Sequence, residues 1–266
     1  MIIETTSKHA ARQGMWPCVY HGNGVSKDSD IFNKMKDIES KIKYQEQDPR
    51  DHDITILTWS IPEERTLLQD NFKRMGIEDS ITIMPISKPF NWLSKIKLLH
   101  EYMPYVKTKY IMALDATDIM VSTDNRGELW QNLINVFEGV NCSMLWNAEK
   151  NSWPNTTTHD VLKNELSIMK GFEERLYAMH LDSAYCYLNS GAFIGYTEYV
   201  KGFYQRLWDL TEPYYGRGED EGMFGGDQGF VRMIQSTEFP KMVIDYECRI
   251  FQTFNRINEE EINIYE

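Results

Sequence analysis

Apolar and polar positions along this chain fall into short strand-like runs separated by amphipathic helical stretches. Asp53-Ile54-Thr55-Ile56-Leu57-Thr58 is a β-branched run of strand length. A helix is expected from Pro62, with Glu63 and Glu64 in its first turn, Lys73 and Arg74 in its last, and Gly76 just beyond. Ile81–Ile86 reads as a second strand. Ser94–Met103 reads as a second helix, with Ile96, Leu99 and Met103 on one face and Pro104 ending it. Tyr110–Leu114 is apolar at every position, as in a central strand covered on both sides. A helix around 127–138 and a strand over 142–146 follow. Tyr187–Tyr196 combines a polar turn with a strand, 229–234 reads as helical, and Val243–Tyr246 opens a last strand running towards Arg249–Gln252. Repeated strand–helix units predict an α/β domain, a doubly wound sheet flanked by helices. In such sheets ligands bind beyond the carboxyl ends of the strands.

Ahead of this domain, residues 28–53 are rich in Lys, Asp, Glu and Gln and end in Asp48-Pro49-Arg50-Asp51. That composition predicts an exposed helix and linker. It divides an N-terminal segment, 1–47, from a main domain, 48–266.

Composition narrows the function. At 266 residues, with 42% apolar and 13% aromatic content, the chain can bury a substantial core. Its net charge of -12 argues against nucleic acid as a partner. An acidic protein that handles anions needs a metal ion or a local basic cluster. No apolar run is long enough to span a membrane, and Met1–Thr6 lacks the basic start of a signal peptide, so a cytoplasmic location is expected. Cys18, Cys142, Cys186 and Cys248 are scattered and read as reduced thiols.

Two segments carry candidate chemistry. Asp115-Ala116-Thr117-Asp118 follows the third strand, where paired carboxylates suit Mg²⁺ or Mn²⁺, although aspartates also cap turns there. Tyr20-His21-Gly22-Asn23-Gly24-Val25-Ser26-Lys27 offers an imidazole for a metal, glycines that let backbone approach an anion, and a lysine for phosphate. An ordinary Asn-Gly turn with a surface histidine accounts for the same residues. The glycine-rich acidic stretch Arg217–Gly226 suits a mobile lid or a solvated connector. Trp59, Trp92, Trp153 and Tyr187 lie beside polar motifs and could stack on a ring; Trp153 stands out because it abuts Pro154 in a loop.

The motifs gain meaning in order. They are Asn91-Trp92-Leu93-Ser94-Lys95, Leu114–Asp118, Asn147-Ala148-Glu149 with Trp153-Pro154, Tyr187–Tyr196, Asp227-Gln228 and Cys248–Gln252. The series resembles the glycosyltransferase domain of the procollagen lysyl hydroxylases and their relatives, over about residues 53–255. The resemblance implies a GT-A type fold with a Rossmann-like mixed sheet, a UDP-sugar donor (UDP-glucose or UDP-galactose), Mn²⁺ with Mg²⁺ as a substitute, and retention at the anomeric carbon. It implies catalytic roles for Asp227, Trp153 and Asn189. Donor contacts would come from Thr58, Lys95, Asp115, Ser190, Gly191 and Gln228, with Asn23, Gly24 and Lys27. Metal ligands would be Asp115, Asp118 and His21.

Two departures stand out. The family pattern has two aspartates before the glutamine, whereas this chain reads Gly226-Asp227-Gln228. The His-Gly-Asn-Gly segment follows the Ile-Phe-Gln strand in the family but here lies at residues 21–24, which implies a circular permutation. The expected function is a metal-dependent hexosyltransferase acting on a glycan, peptide or small-molecule acceptor. The alternatives are a catalytically weak or inactive nucleotide-sugar or glycan-binding protein, and a metal-dependent nucleotidyltransferase or phosphoesterase served by Asp115 and Asp118 alone.

Overall fold

The computed structural model describes residues 2–5, 17–23, 27–41, 48–87, 91, 93–122, 128–154, 163–179, 183–217, 225–255 and 262–265. In chain order the elements are β1 (Ile2–Thr5), β2 (Val19–His21), α1 (Asp30–Lys41), β3 (Ile54–Ser60), α2 (Leu67–Arg74), β4 (Ile81–Pro85), α3 (Ser94–Tyr102), β5 (Tyr110–Leu114), β6 (Ile119–Val121), α4 (Leu129–Gly139), β7 (Met144–Glu149), α5 (Lys163–Met179), β8 (Tyr187–Tyr196), α6 (Thr197–Thr211), α7 (Gly226–Glu238), β9 (Met242–Ile244), β10 (Phe251–Thr253) and β11 (Ile262–Tyr265).

A six-stranded mixed sheet in the order β4-β3-β5-β8-β7-β9 forms the centre. β3, β4 and β5 run parallel, and β8 lies antiparallel to both β5 and β7. The uniformly apolar β5 is covered on both sides, as its sequence predicts. Ile111 and Ala113 face a core built with Ile96 and Leu99 of α3, Phe203 and Leu207 of α6, and Phe230 of α7. Met112 and Leu114 face a second core with Leu68 and Phe72 of α2 and Trp130 and Phe137 of α4. The protein is thus an α/β sandwich with helices on both faces of a mixed sheet.

A smaller sheet, β10-β2-β6, branches from the same strand system. β2 runs parallel to β10 and antiparallel to β6. The link from β5 to β6 is Asp115–Asp118, so the acidic segment is where the chain crosses from the large sheet to the small one. Asn71 of α2 stands beside β6 as a further strand would, donating to Val121 O at 2.9 Å and accepting from Val121 N at 2.7 Å. Buried Glu39 of α1 accepts from Asn71 at 2.6 Å and pairs with Arg74, which ties α1 to this edge. No helix among the described residues is long and apolar enough to cross a membrane.

Several local expectations are corrected. The helix expected from Pro62 begins at Leu67, because Thr66 caps it reciprocally with Gln69; its far end keeps Gly76, at φ 74°. Asn189-Ser190-Gly191 is no turn but part of β8, where the register against β7 shifts between Trp146 and Asn147. Asp227 and Gln228 already belong to α7. The last strand divides, since β9 joins the large sheet and β10 the small one. Asp245 makes the break: its buried carboxylate accepts the N–H groups of Arg249, Ile250 and Phe251 and bends the chain between them. The charged helix is not simply exposed, because Phe32 and Met35 of α1 are buried against Tyr20, Met120 and Phe254. Gly24, Trp92 and most of the Arg217–Gly226 stretch lie outside the described residues.

Candidate functional site: a metal centre with a neighbouring carboxylate

The strand register assembles the site. His21 ends β2 and is paired with Ile119 of β6, so it stands next to Asp118, whose carbonyl accepts the Gly22 N–H at 2.8 Å. Asp115 leaves the end of β5, and its N–H bonds to Gly191 O of β8 at 2.8 Å. These backbone bonds bring His21 Nε2 to 3.4 Å from Asp118 Oδ1 and 3.9 Å from Asp115 Oδ2. One ligand atom from each of the three residues lies within 4.8 Å of the others, so the group can hold a metal ion. Gly191 makes the approach possible: a Cβ there would lie 2.2 Å from His21 Cε1 and 2.9 Å from Asp115 Oδ2.

The imidazole is held from behind. His21 Nδ1 lies 3.0 Å from Asn189 Oδ1, which also accepts Gly191 N at 2.9 Å and Asn147 Nδ2 at 3.2 Å. With a proton on Nδ1, Nε2 is left as a lone-pair donor facing the two aspartates, as a metal-binding histidine requires. Burial alone would lower the His21 pKa, but Asp118, Asp115 and Glu149 outweigh it and hold it above the ordinary value. Burial pushes Asp115 up to about 6 despite the Lys95 ammonium, and the neighbouring Asp118 charge adds to the shift. Asp118 stays below its ordinary value, since His21 outweighs its burial.

Beside this triad stands a third carboxylate, Asp227. Lys95, in the first turn of α3, reaches Asp115 Oδ1 at 3.2 Å, Asp227 Oδ2 at 2.7 Å and Ser190 O at 2.8 Å. Its ammonium also lies 4.7 Å from the centre of the Trp59 ring. Ser190 N donates to Gln228 Oε1 at 3.1 Å, and Gln228 Nε2 donates to Trp153 O at 2.8 Å and Glu149 Oε1 at 2.7 Å. Asn23 Nδ2 donates to Glu149 Oε2 at 3.0 Å, which joins the His21 segment to β7.

The structure therefore brings His21, Asn23, Lys95, Asp115, Asp118, Asn189, Ser190, Gly191, Asp227 and Gln228 into one connected cluster, with Trp153 attached through its carbonyl. Lys27 is exposed, and its charge helps hold Asp118 down. Thr58 stands apart: it is fully buried, and its hydroxyl donates to Leu114 O at 2.7 Å, because strand alternation turns it into the sheet. Trp59, the next residue, reaches Lys95 instead. Sequence reasoning gave no role to Glu149, which is buried, held above its ordinary pKa by that burial, and bonded to three amide side chains. Its sequence signal was its place in the Asn147-Ala148-Glu149 motif, at the end of an apolar strand, which carried no role for the acid itself.

No protein-family model matches the chain, and no curated protein does. Among solved structures, the chain is similar to a glycosyltransferase involved in the glycosylation of the major capsid of PBCV-1, at 13% sequence identity and a TM-score of 0.43, covering 72% of this chain and 80% of that one.

Proposed function

We propose that this protein is a metal-dependent glycosyltransferase. It moves a hexose from a UDP-sugar, UDP-glucose or UDP-galactose, to a glycan, peptide or small-molecule acceptor with retention at the anomeric carbon. The observation that carries the reading is the pairing of two unlike groups across Lys95: a His-Asp-Asp metal triad on one side and the Asp227 carboxylate on the other. A phosphoesterase needs the triad but gives no reason for a third carboxylate tethered beside it through Lys95. The ordered motifs that resemble the procollagen lysyl hydroxylase domain support the same reading.

The donor set fits Mn²⁺, which accepts both imidazole nitrogen and carboxylate oxygen. When bound, the ion supplies Lewis-acid neutralisation of the charge that develops on a leaving diphosphate. Asp115, Asp118 and His21 Nε2 would hold it, and Asn189 Oδ1, beside Nδ1, would favour the tautomer that leaves Nε2 free to ligate. Lys95 adds a fixed positive charge beside the phosphates and restrains Asp227. Asp227 faces the sugar and stabilises its oxocarbenium-like charge. Ser190, Gly191 and Gln228 form the wall against which the donor sugar lies.

The test is UDP release from a panel of sugar nucleotides, with and without Mn²⁺. Metal-dependent release from a UDP-hexose is expected, and Asp227→Asn should lower kcat far more than it changes donor KM. Absence of both binding and release with every sugar nucleotide would overturn the reading. Gly226 stands where the family has a first aspartate, which favours the second reading, a sugar-nucleotide-binding protein, if binding is found without release.

A further inference from the structure

Ser152-Trp153-Pro154 is a short turn that exposes Trp153 and buries Pro154, and it is tied down residue by residue. Arg232 of α7 donates from Nη2 to Ser152 Oγ at 3.1 Å and from Nη1 to Pro154 O at 2.9 Å. Gln228, one helical turn earlier, donates to the Trp153 carbonyl between them. Pro154 itself packs where Gly225 begins α7: a Cβ on Gly225 would lie 2.6 Å from Pro154 Cβ. Among these groups the Trp153 side chain is left outward, 45% exposed.

The arginine is not a surface residue. Arg232 is 3% exposed, and its Nε and Nη2 meet both oxygens of Glu173, itself 5% exposed on α5, at 2.8 and 2.7 Å. Its guanidinium also lies 5.9 Å from the centre of the Tyr187 ring at the start of β8. A buried ion pair contributes little net stability compared with apolar residues of the same size. Its distinctive property is geometry: a planar fork that fixes several partners at once. Here the fork joins α5, α7, β8 and the turn, and Asp227 sits five residues earlier on the same helix.

We propose that Arg232 and Glu173 are positioning residues that lock the Ser152–Pro154 turn onto α7, so that the Trp153 indole and the Asp227 carboxylate move as one rigid unit. Glu173 aligns and neutralises the guanidinium, and Arg232 grips the turn. The consequence for transfer rests on the glycosyltransferase reading; the immobilisation of the turn does not.

The experiment compares Arg232→Lys, Glu173→Gln and the double variant Arg232→Met with Glu173→Met, which removes both charges together and so avoids a stranded buried ion. Trp153→Phe supplies the fluorescence blank that isolates Trp153 from the other tryptophans. Acrylamide quenching of the Trp153 component should rise in all three variants while Mn²⁺ affinity stays at the wild-type value. UDP release should fall in kcat by up to about a hundredfold, the scale of a reacting group misplaced by an ångström. Ser152→Ala, which removes one hydrogen bond from a partly exposed residue, should shift quenching in the same direction by less, and keeps the test available if the double variant does not fold. Wild-type quenching in every variant overturns the clamp, and so does a loss of Mn²⁺ affinity in parallel with activity, since that marks general disruption. A wild-type protein that quenches as expected but releases no UDP overturns the functional reading and leaves the clamp standing.

Discussion

The two flanks of the site handle buried charge in opposite ways. Around Arg232 every charge has its complement: a bidentate carboxylate, two further acceptors and an aromatic face. Around His21 the balance is left open. Asp115, Asp118, Asp227 and Glu149 face His21 and Lys95, with exposed Lys27 adding to the field at Asp118, and burial already holds the Asp115 and Glu149 pKa values above the ordinary carboxylate range. A closed network fixes a shape, whereas an open one stores an affinity for something that arrives later. An excess of negative charge converging from the β5–β6 link, β7 and α7 is the arrangement that a dication relieves.

The contrast is broken most forcefully by removing one charge from each flank. Asp118→Asn should lower Mn²⁺ affinity by at least about a hundredfold, since even partners behind a ligand are worth 10–100-fold, while the metal-free protein keeps its stability. Arg232→Ala should do the reverse, costing about 3–5 kcal/mol of stability because it strands Glu173, with Mn²⁺ affinity preserved. Calorimetric titration and urea unfolding read the two quantities, and equal behaviour of the two variants would erase the distinction.

Next in size is the metal itself. Mn²⁺ at a hundred times its dissociation constant should stabilise the protein by about 2.7 kcal/mol, or roughly 5–10 °C in Tm for a chain of this size. EDTA should reverse the gain, and His21→Ala should abolish most of it. A Tm that ignores both would mean that the triad is closed after all.

A smaller effect separates the flanks by pH. His21 and Asp115 both have folded-state pKa values above their ordinary ones. A raised histidine contributes stability below its ordinary pKa that is lost as pH rises through the raised value. A raised carboxyl likewise favours the folded state when protonated, and that advantage disappears as pH climbs from the ordinary carboxylate range through about 6. The metal-free protein should therefore weaken as pH rises from the ordinary carboxylate range through about 6 and on past the ordinary histidine range, and Mn²⁺ affinity should rise over the same span as protons are displaced. Urea midpoints at both ends of the range, with EDTA and with Mn²⁺, would show two curves diverging with pH; parallel curves would refute the assignment.

The smallest expected change lies away from both flanks. Thr66→Ala removes the capping box of α2 and should cost about 1 kcal/mol without altering Mn²⁺ affinity. A drop in affinity would show that α2, through Asn71 and β6, transmits to Asp118.

Much of the fold is legible in residue patterns because strand and helix periods are local properties. The all-apolar Tyr110–Leu114 announced a central strand, and Gly76 announced the end of a helix. The starts of helices were harder. Pro62 and two glutamates fit a first turn as well as Thr66 and Gln69 do, and only the reciprocal hydrogen bonds of the latter decide between them. In the site, the candidate residues could be named from motifs, but Thr58 shows the limit: one position of strand alternation separates it from Trp59, which meets Lys95.

By itself the sequence determined the strands β3, β4, β5 and β7 and the helix α3, and which acids, imidazole and amide side chains are available for chemistry; β2, β6, α5 and α6 carried no such signal. Only the tertiary structure decided that His21 meets Asp115 and Asp118, because that contact depends on the register of β2 between β6 and β10, a pairing across nearly the whole chain. It also decided that Glu149 gathers three amides and that Arg232 is buried rather than exposed. Periodicity fixes the direction a side chain takes from its own backbone; which group it finds there depends on residues distant in sequence, through packing and register.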